Sequence, residues 1–407
     1  MKFWVLSDID SAKFSSLKSI ISKFALDYPK IKVELSVKTR ETMWESLFLH
    51  LRDPENLIAD LIEIPHSWTD ILSKLGMFLE MGKIIEGANL NKYPDFLRKG
   101  CGLQKDGVFF SLPWWMELYT LQYRLDMVKN ISPNIDSDLK SWRGFLNVCE
   151  KIKKANKKKD FFVLENANPS GAISLYDVIP CVWNRGGTLF MEDFNRAAVS
   201  KREFLKGLED FLKLAIDGYL PLFKENYYES EGLLSEGLRA MVFTGRYYSS
   251  DRIVQPLSQK GEPDAKKPVL EAALYPNIAR DGHLVSSTNL AVTDKVLDID
   301  EVKLFMKTLL APQNLKTFTE SFSVFPCQKI SVEGMIRTNK NYAVYRKILS
   351  HAKMPPNISV FPTYNSLMNR VLWDMSVKIV KNNYNSQELA KKLIFIQSEV
   401  DYLMSLY

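Results

Sequence analysis

Cysteine and histidine are scarce in this chain, and neither is clustered. Cys101, Cys149, Cys181 and Cys327 lie far apart at no metal-ligand spacing, so they define no disulfide framework, although an isolated bridge stays open. His50, His66, His283 and His351 make no HExxH pair and no Cys/His cluster, so no metal and no cofactor is expected. A G-x-S-x-G nucleophile turn is missing, as is a glycine-rich phosphate loop; both count against serine hydrolases, P-loop enzymes and dinucleotide enzymes. No apolar run reaches the roughly 18 residues that would span a membrane. After Met1 and Lys2 the chain enters a strand directly, with no apolar h-region or cleavage site, so no signal peptide is read. Repeats and low-complexity segments are absent too. An excess of one charge is nearly lacking: 54 basic against 48 acidic residues leave +6. That balance favours solubility and contact with anionic surfaces and does not argue for nucleic acid. The one dense basic run, residues 151–159 (KIKKANKKK), reads as a solvated surface turn.

What is present is ordinary globular material, 46% hydrophobic and 25% charged, in 407 residues, which implies two or three domains. The eight tryptophans gather near expected strand ends. The most informative stretch is 106–126, DGVFFSLPWWMELYTLQYRLD. It reads as a strand at 108–112, a break at Pro113 that removes a donor and fixes φ, and a second strand at 117–123. Trp114, Trp115 and Glu117 sit at that break, either as a ligand-facing aromatic loop between two lobes or as a hairpin whose rings fill a core.

The opening third alternates strand and helix. Strands are expected at 3–7, 31–37 and 59–64. The first helix is capped by Asp10 or Ser11 and carries Phe14, Leu17, Ile20, Ile21 and Phe24. A second carries Trp44, Leu47, Phe48 and Leu51 behind a Thr42/Glu45 capping box, and a third starts at Ser67 and stops at Gly76. This β-α-β-α-β order implies a parallel sheet, with ligand loops beyond the strand carboxyl ends: 7–10, 39–41 and 65–68. Further helices are read at 142–154, 204–216, 301–310, 366–380 and 386–403. Strands are read at 161–164, at AMVFT (240–244) and at 290–293, and residues 256–268 read as an exposed loop.

The order of these pieces resembles the family 1, sugar-type extracellular solute-binding proteins of ABC importers. The matching segments are FW near the start, YPKIKVEL, ADLIEIPHSWTDILSKLGMFLEM, DGVFFSLPWWMELYTLQYRLDMV, VWNRGGTLF, LAIDGYLP, GLRAMVFTGRYY, LAVTDK, LFMKTLLAPQN, FPCQK and the helical tail. The resemblance implies an α/β, two-lobed periplasmic-binding-protein fold of type II, with a ligand cleft between lobes joined by crossing hinge strands. One lobe would comprise 1–111 plus 284–328 and the other 115–280 plus 333–407. It further implies a non-catalytic, monomeric protein outside the cytoplasm. Such a protein closes on a sugar or oligosaccharide and hands it to an ABC permease, or presents it to a signalling receptor or kinase. A glycosidase pairing Glu63 or Glu41 with Glu117 is the enzyme alternative.

Carried over residue by residue, the resemblance places ligand contacts at Asp8, Arg40, Glu41, His66, Ser67, Trp68, Trp114, Trp115, Glu117, Trp183, Tyr247 and Tyr364. Flat rings cover sugar C–H faces, while carboxylates and arginines take hydroxyls. Trp44 also matches, but its spacing to Leu47 and Leu51 favours the core, and Trp183 serves equally as packing under the Gly186–Gly187 turn. The chain departs from the family pattern in having Tyr247 in place of a common Trp. It also has Ser287-Thr288-Asn289 in place of Gly-Trp-Gly, and Arg246 in place of a small residue. An acidic or smaller solute is therefore open.

Overall fold

The computed structural model describes the chain except residues 7–10, 54, 56–57, 86–88, 103–106, 169, 224–233, 235, 248–268, 277–281, 339–342 and 407. Asp8 and the 256–268 loop lie outside the described residues. The chain packs as two compact units interleaved along the sequence. The first is Met1–Glu117, Val285–Thr338 and Met354–Phe361; the second is Leu118–Leu284, Asn339–Lys353 and Pro362–Tyr407. The passage expected at 328–333 falls later, after Thr338. The helix Lys329–Thr338 stays with the first unit, packed against β10 (Phe325–Pro326).

The first unit is built on a sheet ordered β10-β4-β9-β3-β1-β2. Here β1 is Lys2–Leu6, β2 Glu34–Lys38, β3 Leu61–Pro65, β4 Leu112–Leu118 and β9 His283–Val292. The β-α-β-α-β reading holds at its centre, where β1 pairs in parallel with both β2 and β3. Beyond β3 the sheet turns mixed, because β9 and then β10 run antiparallel to their neighbours. Every residue of β3 is buried, as expected of a strand flanked on both sides and covered on both faces. The helix Ser11–Asp27 buries Leu17, Ile20 and Phe24 and packs against the helices Ile299–Leu310 and Pro312–Phe322; Phe24 meets Phe305 edge-on with ring centroids 5.1 Å apart.

Two local expectations change. The break in 106–126 falls at Tyr119, not at Pro113: β4 runs through the proline, and β5 (Thr120–Arg124) follows. Pro113 is only the second residue of its strand, and pairing with β10 starts at Trp115, so its missing N–H disturbs little of the ladder. The helix Arg40–Arg52 is capped by Thr39, whose side chain accepts from the Thr42 N–H, and not by Thr42.

The second unit holds the four-stranded sheet β6-β7-β5-β8, with β6 Leu164–Glu165, β7 Met241–Thr244 and β8 Leu270–Ala273. The helices Trp142–Ala155, Leu175–Asn184 and Arg202–Ile216 pack with it. Phe243 stacks on Tyr275 at 4.4 Å and meets Phe145 edge-on. The sixth strand is shorter than the expected 161–164, and the ninth is longer than 290–293. Its first two residues pair with β11 (Ala352–Lys353) in this unit. No described helix is long and apolar enough to cross a membrane.

Candidate functional site

The carboxyl end of β3 is where the first unit concentrates polar chemistry. Glu63 is the one acid in that buried strand, and its side chain is 0% exposed. Lys13, 2% exposed on the first helix, donates to both carboxylate oxygens, at 2.8 and 2.9 Å, and also to the Leu6 carbonyl. The Leu6 N–H donates to Glu63 Oε2 at 3.0 Å, and the Trp115 indole N–H donates to Oε1 at 3.1 Å. Glu63 therefore ties together the end of β1, the first helix and β4. A buried ion pair survives only when its lone pairs and protons are met in this way. Lys13 also lies 5.4 Å from the centroid of the Trp115 ring and 5.0 Å from that of Phe322.

Trp114 and Trp115 both pack against the helix Pro312–Phe322. Trp114 is 1% exposed and stacked on Phe318 at 4.4 Å, with its indole N–H meeting no acceptor among the described residues. Trp115 is 7% exposed and edge-on to Phe322. The structure thus places both rings in the core of the first unit, as the second reading had it, but with no hairpin. β4 and β5 belong to different sheets, and the chain leaves the first unit after Glu117, as the first reading had it. Glu117, half-buried at the end of that unit, accepts from the Ser286 hydroxyl at 2.8 Å.

Past β3 the chain turns through His66–Trp68 into the helix Thr69–Lys74. His66 is buried, with Nδ1 3.2 Å from the Ser287 carbonyl and Nε2 3.1 Å from that of Pro355. A neutral ring has one N–H to give to these two acceptors, and its Nδ1 also faces the Ser287 N–H, 3.5 Å away. Burial nevertheless outweighs the carbonyls and pushes its pKa down from 6.5 to about 4, with the Arg40 charge adding in the same direction. Beside it runs a buried amide–hydroxyl chain: Asn289 donates to the Gly100 carbonyl and to Ser111, each at 2.9 Å, and accepts from Ser287 at 3.2 Å. The tripeptide that departs from the family's Gly-Trp-Gly thus supplies hydrogen bonding in place of an aromatic face.

Trp44 and Trp68 lie 4.6 Å apart and edge-on at the margin of a core cluster, with Phe48 4.9 Å from Trp44. Trp68 and Ser67 are buried, Trp44 is half-buried, and Arg40 and Glu41 stand exposed on the first turn of their helix. In the second unit Trp183 is buried near the end of the helix Leu175–Asn184, with Lys353 Nζ 5.6 Å from its ring. Tyr247 is buried just after β7. Tyr364 is fully buried 4.9 Å from Phe190, and burial pushes its hydroxyl pKa well up. Tyr119 and Tyr176 form a half-buried, stacked pair with centroids 6.4 Å apart.

The family model for bacterial extracellular solute-binding proteins matches residues 19–343. The chain belongs to that family. Solved structures repeat the fold over its full length. The maltotriose-binding protein of Thermus thermophilus is similar at a TM-score of 0.79 and 18% identity, covering 99% of this chain and 100% of its own. An ABC transporter solute-binding protein of Thermotoga lettingae, solved with α-D-tagatose, gives 0.80 and 16%, covering 99% of each chain. The sugar-binding protein MalE of Xanthomonas citri gives 0.73 and 15%, covering 99% of this chain and 97% of its own. No curated protein sequence matches.

In this solute-binding protein the candidates fall into three groups by position. Arg40, Glu41 and Glu117 offer accessible or half-accessible charge; His66, Ser67, Trp68, Trp183 and Tyr247 are buried near element ends; Trp114, Trp115 and Tyr364 pack as core. The sequence pattern does not single out Lys13, and Glu63 enters it only as a glycosidase carboxylate. A lone acid in an otherwise apolar strand is the available signal, since such a group requires a buried partner. The Tyr119–Tyr176 pair carries none, because its members are 57 positions apart (176 − 119).

Proposed function

We propose that this protein binds a carbohydrate-like solute outside the cytoplasm and delivers it to an ABC transporter, without chemical turnover. The observation that carries this is the family match over 19–343, joined by a fold shared end to end with proteins solved with maltotriose and tagatose. In the first unit the reading rests on Arg40, Glu41, Trp68 and Glu117, and in the second on Trp183 and Tyr247. Chemistry supports the non-catalytic side of this reading. Both Glu63 oxygens are engaged by a cation and two N–H donors in a buried site, so that carboxylate has no access to a glycosidic bond.

Calorimetric titration with maltotriose, tagatose, acarbose and a uronic acid tests the proposal, with product analysis of each mixture. Saturable binding of one class with the saccharide recovered intact is the expected result. Failure to bind any of them, or turnover that Glu117→Gln abolishes, would overturn it.

A further inference from the structure

One run carries as many positive charges as the chain's net +6, and it is flanked by Glu150 and Asp160. Of the 54 basic residues, six are lysines between 151 and 159, a run without an acid; the remaining 48 balance the 48 acidic residues. The helix Trp142–Ala155 ends inside this run. Lys153 and Lys154, in its last turn, are accounted for locally. Cations favour a helix C-terminus, Lys154 pairs with Glu150 at 2.9 Å, and Lys153 donates to the Asp217 carbonyl at 2.6 Å. Lys157, Lys158 and Lys159 lie past the helix end, where the dipole no longer explains them. All three are exposed, as is Lys151. Among the described residues no carboxylate forms an ion pair with any of these four. Lys158 lies near a second cation that is itself paired: a Cβ built on Gly237 would lie 3.8 Å from the Lys158 Nζ and 3.3 Å from Arg124 Nη1, and Arg124 forms an ion pair with Asp126 at 2.6 Å. Asp160 follows directly, and then come two half-buried rings, Phe161 and Phe162, the latter 5.1 Å from the Arg239 guanidinium.

We propose that this exposed segment of the second unit, Lys151 and Lys157–Lys159 with Phe161, docks on an anionic phospholipid surface. Uncompensated lysines are attracted to the negative potential of such a surface, and partly exposed aromatic rings seat at its headgroup level. A soluble polyanion would use the charge and leave the rings idle, which is why a lipid surface is the better fit. Membership of an extracellular solute-binding family makes such a peripheral contact useful. Each lysine near the surface contributes roughly fivefold in partitioning, so three contribute about a hundredfold.

The test is co-sedimentation of the full chain with phosphatidylglycerol vesicles, with phosphatidylcholine vesicles for comparison, at low and high salt. Binding is expected only to phosphatidylglycerol and should fade as salt screens it. Replacing Lys157, Lys158 and Lys159 by Gln should weaken it about a hundredfold. The same change at Lys23, Lys30 and Lys99, exposed lysines of the first unit, should leave it within roughly threefold. Circular dichroism confirms that both variants fold. Equal losses in the two triples would show a net-charge effect and overturn the proposal. So would absence of binding at low salt, or binding to polyphosphate with none to vesicles.

Discussion

At the scale of single residues, burial decides what each polar group does. His66 is enclosed by Gly100, Ser287 and Pro355, and its folded ring takes a proton only near pH 4, against 6.5 when exposed. Between those values the unfolded chain binds more protons than the folded one. Stability is therefore full above about pH 6.5 and falls as pH drops through the window toward 4. The whole shift corresponds to about 3 kcal/mol. Urea unfolding across that window should show the slope in the native chain and a flatter profile in His66→Gln; parallel profiles would exclude His66 as its source. The ligand role read for His66 follows from its loop position alone. Its solvent exclusion is not legible in the sequence, because the walls around it come from positions 221 and 289 residues away. The same limit applies to Trp114 and Trp115. Their sequence neighbourhood admits loop or core, and β4 becomes an interior strand only through β9 and β10, supplied more than 160 residues later.

At the scale of elements, the sequence is most legible where periodicity is strong. The helices Trp142–Ala155, Arg202–Ile216 and Ser386–Met404, and the β1-β2-β3 core with its helices, fall within a few residues of expectation. Short strands such as β6 and the cap at Thr39 are missed or shifted, since one or two residues set them. How closely helices approach is not written in periodicity either. Gly207 faces the backbone of the helix Leu175–Asn184 so closely that a Cβ there would lie 2.4 Å from Val182 Cα and 2.7 Å from its nitrogen. Gly207→Ala gains about 1 kcal/mol of helix propensity. It must also push the facing backbones apart, and overpacking costs about 1–3 kcal/mol. Net destabilisation is the expected sign, because no flexible side chain is available to yield. Gly334, in the helix Lys329–Thr338, meets nothing within 4 Å, so Gly334→Ala should stabilise by roughly 0.5–1 kcal/mol. Urea midpoints of the two variants should move in opposite directions; a stabilised Gly207→Ala would disprove the close approach.

At the scale of the whole molecule, the two units are each assembled from separate stretches of chain, and that has a consequence for folding. The first unit's sheet places β9 between β3 and β4, with Leu61 to Pro65 paired to Val292 through Thr288. A fragment ending at Glu117 contains β3 and β4 but not the strand that joins them. It also lacks Phe305, which meets Phe3 and Phe24, and Phe318, on which Trp114 stacks. Open strand edges and an uncovered aromatic face are what an isolated domain cannot carry in water. The fragment 1–117 should therefore lack cooperative urea unfolding and protected amides when produced alone. Adding residues 285–338 through a flexible linker restores the missing strands and rings, and should recover both. A cooperative transition in 1–117 by itself would mean that the β1-β2-β3 layer is self-sufficient and that β9 only decorates it.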